Sequence, residues 1–231
     1  MALASPNNIT RTIDAVRADL LAAQWPPGGK LQPGVLAARY DSSTTVIREA
    51  LTRLAGDGLV VVIPNRGFFV SELDLRELRD ITELRCITEE LAVSLSLERG
   101  GLEWESDLMA AHYGLVRTPR RAAGDLVHIN GEWAAAHRAF HTKLLEACAC
   151  PHMTRLAANL ADHTELYRCW AAPSDAASVR DVEKEHLDIL EAALARDAVL
   201  TASLLRAHYQ ATVDVILRAG LVQGAASPSR G

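Results

Sequence analysis

Between Pro26 and Val70 the chain alternates stop signals with short patterned stretches, in an order that few folds accept. PPGG at 26–29 ends an opening amphipathic segment in which Ile9, Ile13, Val16, Leu20 and Leu21 recur at helical intervals. PGVLAARY reads as a short helix opening on Pro33, whose fixed φ suits a first helical turn. DSS at 41–43 is a turn, with Ser43 as the N-cap of the next helix. That helix, TTVIREALTRLAGDG, turns Val46, Ala50, Leu51 and Leu54 inward and stops at Gly56 and Gly58. LVVVIPNRGFFVSEL predicts two short strands around a Pro-Asn-Arg-Gly turn.

Helix, short helix, turn, helix and hairpin is the order of a winged helix-turn-helix. In that arrangement the helix after the turn enters the DNA major groove and the wing follows the backbone. Thr44, Thr45, Arg48 and Arg53 then lie on the groove helix, and Asn65, Arg66 and Gly67 at the hairpin tip, all placed to meet DNA. A single arginine there would be an ordinary solvated side chain; the ordered set is what points to a nucleic acid. The net charge of −5 does not advertise such a partner, but it hides an asymmetry. Residues 1–72 carry seven Lys or Arg against six Asp or Glu, and the remainder seventeen against twenty-three.

From Asp74 onward the pattern is helical throughout. Amphipathic segments cover 74–99 (ended by Gly100-Gly101), 104–118, about 126–148, 151–170, 179–197 and 198–220, with loops at PRRAAGD and at Pro173-Ser174-Asp175. Aromatics at 5%, with Ala and Leu abundant, favour helix over sheet. The expected class is therefore mostly α: a winged DNA-binding domain over 8–72, an all-helical domain over 73–220 and a disordered tail at 221–231. No apolar run approaches the roughly 18 residues of a membrane span, and no secretion signal is visible. Cys86, Cys148, Cys150 and Cys169 form no CxxC pair, so reduced thiols in a cytoplasmic protein are the plain expectation.

HRAFH at 137–141 stacks His137 and His141 on one helix face. A chelating pair and a coincidence of composition share that spacing. What decides is whether other histidines recur at matching positions on other helices. Any one of the remaining six, taken alone, reads as an ordinary hydrogen-bonded core or surface group.

The N-terminal stretch resembles the DNA-binding domain of GntR-type bacterial repressors. The resemblance is carried by Pro27-Gly28, Leu36-Ala37, Ser43, Arg48-Glu49-Ala50-Leu51, Leu54, Gly58-Leu59-Val60, Arg66-Gly67-Phe68 and Val70. It departs where the family's Ser-Arg-Thr-Pro reads Ser43-Thr44-Thr45-Val46, so an arginine that commonly contacts a base is missing. The helical remainder is similar to the FCD effector-binding domain of the FadR subgroup, through Asp80, Glu83, Arg85 and Glu89 on its first helix and Phe140-His141 later. The subgroup's metal motif places an aspartate where this chain has His137, then His141, His186 and His208.

The resemblance thus implies a metal held by His137, His141, His186 and His208, and leaves His112, His128, His152 and His163 as ordinary core or surface groups. Four imidazoles suit zinc first, with nickel, cobalt or copper as alternatives, over magnesium or calcium. Four neutral ligands leave the ion's charge uncompensated, which favours an anionic effector; a small organic acid is also what the resemblance implies. Arg85 is a candidate to receive a second carboxylate, or else forms an i,i+4 ion pair with Glu89. The expected function is a DNA-binding regulator, a repressor acting as a homodimer on an inverted-repeat operator, because one winged helix makes too few phosphate contacts alone. A metal-dependent hydrolase is the competing class, yet no HExxH, Walker loop or GxSxG is present. A purely structural metal is the third possibility.

Overall fold

The structure, a computed structural model, describes residues 6–72, 74–121, 124, 129–171 and 180–219. The tail expected at 221–231, the loop expected at 173–175 and His128 lie outside the described residues. The chain divides into two compact units between residues 73 and 74. Its architecture is mostly α, with one small antiparallel sheet.

The N-terminal unit contains α1 (Pro6–Leu21), β1 (Lys30–Leu31), α2 (Pro33–Arg39), α3 (Thr44–Gly56), β2 (Val60–Ile63) and β3 (Gly67–Val70). Pro33 opens α2, and the Ser43 hydroxyl accepts the Val46 N–H at 3.2 Å to cap α3. Val16, Leu20, Leu36, Ile47, Leu51 and Leu54 are fully buried in its core. The hairpin pairs Val61 with Phe69 and Ile63 with Gly67, and closes through left-handed residues Asn65 (φ 60°) and Gly67 (φ 106°). The sequence pattern anticipates two strands; the sheet has three, in the order β1-β3-β2. β1 pairs Leu31 with Phe68, and this pairing buries Leu31.

The C-terminal unit contains α4 (Leu75–Arg99), α5 (Leu102–Arg117), α6 (Gly131–Glu146), α7 (Pro151–Ala171), α8 (Val182–Leu194) and α9 (Ala198–Arg218). Asp74 caps α4 by accepting the Arg76 N–H at 2.8 Å. α4 packs against α9, α7 and α6, and it buries polar Thr82, Arg85 and Glu89 beside Leu78, Ala92 and Val93. A helix so enclosed needs partners for those polar groups, and that requirement shapes the site below.

Gly100 ends α4. A Cβ there would lie 2.5 Å from Trp104 Cε3, and Trp104 is held by its Nε1 donating to Lys143 O at 2.8 Å. The Gly100 carbonyl accepts from Arg196 at 2.8 Å, so the chain is fixed on both sides. Gly100→Ala is expected to cost about 1–3 kcal/mol through overpacking, read as a lower urea midpoint at unchanged slope.

Candidate functional site

Three helices of the C-terminal unit bring together the four histidines singled out above. His137 and His141 are one turn apart on α6, His186 lies on α8 and His208 on α9. One nitrogen from each lies within 4.8 Å of the others. His141 Nε2 and His186 Nε2 are 3.3 Å apart. Burial, and then the neighbouring imidazoles and guanidiniums, push His137, His141 and His186 well below the ordinary imidazole range. Burial takes His208 down to about 4, against the hydrogen bond it donates to Glu185. All four rings are therefore neutral at neutral pH.

The outer partners decide which nitrogen faces inward. Tyr209 donates its hydroxyl proton to Glu89, so its oxygen accepts from His141 Nδ1 at 3.1 Å. Glu185 accepts from His208 Nδ1 at 2.7 Å. Although burial works the other way, the hydrogen bonds from His208 and Arg180 hold the Glu185 carboxyl down at about 2. With both Nδ1 protons directed outward, His141 and His208 turn their Nε2 lone pairs inward. Carboxylates and hydroxyls that fix an imidazole in this way are the usual outer shell of a metal ligand.

This donor set fits a transition metal. Two nitrogens each about 2.0–2.1 Å from one tetrahedral zinc would be about 3.3–3.4 Å apart, the spacing of His141 and His186. Without a cation the same 3.3 Å is a hydrogen bond in which His186 Nε2–H donates to the His141 Nε2 lone pair, and a bound cation would take that proton's place. His137 is the least enclosed of the four, its ring stacked on Trp133 at 4.9 Å.

His137, His141 and His208 open onto a cavity of about 90 Å³. At the roughly 30 Å³ that a water occupies in the liquid, that is room for about three waters. Ala157, Ala158 and Ala161 on α7 create the space, and Arg85, Arg120, Arg138, Arg168 and Arg180 line it. Arg85 forms its ion pair with Glu89 at 2.6 Å, donates to Thr164 at 2.9 Å and stacks 3.8 Å from the Tyr209 ring centre. Of its two sequence readings the ion pair is thus formed, and the guanidinium still borders the cavity. Trp133, Arg180, Glu185 and Tyr209 escape sequence reasoning, although Trp133 stands four residues before His137 on α6 and Glu185 and Tyr209 adjoin His186 and His208; Arg180 reaches the centre with no such local hint.

Of the other histidines, His112 is buried edge-on to Phe140 at 5.5 Å, His152 is exposed and His163 is half-buried, none within the cluster.

In the N-terminal unit, Thr44, Thr45, Arg48 and Arg53 are exposed on α3, and Asn65 and Arg66 are exposed at the hairpin tip. Arg53 is drawn to Glu49 at 2.9 Å, a solvated i,i+4 pair of small energetic weight. Arg66 lies 5.7 Å from the Phe69 ring centre. Gly67, at φ 106°, shapes the tip rather than offering a side chain.

Residues 8–70 match the profile of bacterial regulatory proteins of the gntR family, and residues 80–211 match the FCD domain. The HTH-type transcriptional regulator BphR of Paraburkholderia xenovorans is 33% identical over 215 residues, covering 93% of this chain and 87% of its own length. The HTH-type transcriptional repressor GlaR of Escherichia coli is 30% identical over 204 residues, covering 87% of this chain and 92% of its own. Among solved structures, Escherichia coli McbR/YncC superposes with a TM-score of 0.77 at 20% identity, over 94% of this chain and 99% of its own. A GntR regulator of a Rhodococcus species gives 0.73 at 21% identity, over 92% and 98%. At such identities the structures speak for the fold alone.

Proposed function

Because the chain belongs to the GntR family of bacterial regulatory proteins and carries an FCD domain, we propose that it is a repressor controlled by a metal-bound small carboxylate. It is a transcriptional regulator with a winged helix-turn-helix, and its relatives are regulators rather than enzymes. Repression is the direction in which GlaR is named. In this reading residues 8–72 bind operator DNA in the cytoplasm, and 73–220 hold the effector.

The observation that carries the effector half is the cluster of inward-facing imidazoles opening on an arginine-lined cavity. His137, His141, His186 and His208 would hold the metal, zinc first. The ion supplies a Lewis-acidic anchor for a carboxylate oxygen. The chain's own residues do the rest: Tyr209 and Glu185 fix the ring orientations, and the guanidiniums keep the cavity attractive to anions.

The homodimer reading is supported by exposed Leu84, Ile87 and Leu91 along one face of α4, with Val199 of α9 in the same groove. Contiguous exposed apolar surface of this kind marks interaction sites. The inverted-repeat operator follows from two-fold symmetry.

Arg48→Ala is expected to weaken binding to the DNA upstream of the protein's own gene by about 5- to 150-fold, as for loss of a groove contact worth about 1–3 kcal/mol. Fluorescence titration at several salt concentrations measures it. Affinity and salt slope both unchanged would mean that α3 does not enter the groove.

A further inference from the structure

We propose that the outward face of α5 is a contact surface for α5 of a second copy of this chain, paired antiparallel, and that it joins two dimers into a tetramer. This rests on the homodimer reading above, which gives the groove of α4 and α9 to the dimer itself.

Spacing marks the face. Trp104, Leu108, His112 and Leu115 are buried where α5 packs on α6 and α8. The opposite side carries Leu102, Ser106, Met109, Tyr113 and Val116, all exposed, Leu102 at 81% and Tyr113 at 68%. Their separations run four, three, four, three along the chain. That repeat keeps one stripe in line on a helix, and it is the repeat by which two helices pack together. A single exposed leucine is ordinary; four large apolar side chains in one register mark an interaction site.

Charge selects the occupant and its direction. Of the acids on α5, Glu105 is bound by Arg196, and Asp107 by Lys143 at 3.1 Å. Glu103 and Arg117 are exposed near opposite ends of the helix, and neither has a partner among the described residues. Both lie on the same flank of the apolar stripe, roughly 21 Å apart along the axis. In an antiparallel pair with its two-fold axis near Ala110, Glu103 of each copy meets Arg117 of the other. The same axis sets Met109 of one copy against Tyr113 of the second. A parallel pair brings like ends of the helix together and leaves both charges without a counterpart. Flanking charges of this kind fix partner and orientation.

Area decides what the pairing joins. Two helices of this length meeting along one stripe bury less than the roughly 1,200 Å² at which stable interfaces begin. The contact is therefore too small to hold two free chains firmly. Dimers held close together on one DNA present their α5 faces at high effective concentration, where a weak contact suffices.

Sedimentation velocity of the full-length protein over a concentration series tests this. Tetramers are expected to form reversibly from dimers, and Tyr113→Glu to leave dimers alone. Glu103→Arg and Arg117→Glu are each expected to weaken the dimer–dimer contact about tenfold, because each puts two like-charged pairs across it. Both substitutions together restore opposite charges with the signs exchanged, and are expected to return the affinity to within a few fold of normal. Wild-type dimers with no tetramer up to near-millimolar concentration, or tetramers untouched by Tyr113→Glu, overturn the α5 contact and leave the α4–α9 dimer standing. A double variant no tighter than either single one overturns the antiparallel pairing. Monomers from Tyr113→Glu overturn the joining of dimers and place the dimer interface itself on α5. Wild-type monomers at every concentration overturn both readings.

Discussion

Protein purified without chelator is expected to carry about one transition-metal ion per chain, and a His141→Ala, His186→Ala variant to carry none. These two rings face one another at 3.3 Å from different helices, so removing both deletes two of the four donors at once. Elemental analysis reads the occupancy. The metal should also hold the fold together, because it ties α6, α8 and α9 at one point. At a free metal concentration about 1,000 times Kd, binding adds about 4.1 kcal/mol. For a unit of this size each kcal/mol moves the midpoint by about 2–4 °C, so chelation should lower it by roughly 8–16 °C. Full occupancy in the double variant would reassign the ligands. A midpoint indifferent to chelation would mean that the bound metal sits elsewhere.

How much of this was legible in the sequence depends on the range over which each feature acts. Pro33, Ser43, Asp74 and Gly100 are local punctuation, and the helices begin and end where such signals stand. β1 has only Lys30 and Leu31, too short to show any alternation, and it exists because β3 offers it a partner. The spacing of HRAFH is enough to put two imidazoles on one helix face. Their meeting with His186 and His208 depends on how three helices pack, which spacing does not encode; a family resemblance supplied that link. The outer partners are further from view. Tyr209 reaches His141 across 68 positions of chain, and Glu185 reaches His208 across 23. Arg85 and Glu89 are i,i+4 neighbours, so their pairing was one of two readings of the sequence. Burial selects it, since a guanidinium and a carboxylate enclosed together in α4 stabilise one another.

An effector bound at the histidine centre is expected to lower operator affinity by about 5- to 150-fold, the span of a coupling of about 1–3 kcal/mol. A ligand can shift a protein only by binding one arrangement better than another, so a physical link must run from the centre toward the DNA-binding unit. The hydrogen bonds supply its first steps: His141 to Tyr209, Tyr209 to Glu89, and Glu89 to Arg85. The last two belong to α4, the helix that begins at Leu75, directly after the wing strand that ends at Val70. Whatever moves His141 therefore acts on the first helix beyond the hairpin. Tyr209→Phe cuts this chain while leaving all four imidazoles in place. The variant should keep its metal and bind the effector within a few fold of normal, yet lose most of the coupling. Titrating effector in the presence and absence of operator measures the coupling from both sides, and reciprocity requires the two factors to agree. Effector binding with no change in DNA affinity would sink the sensor reading. Coupling preserved in Tyr209→Phe would send the signal by another route, through Glu185 and Arg180 beside His208.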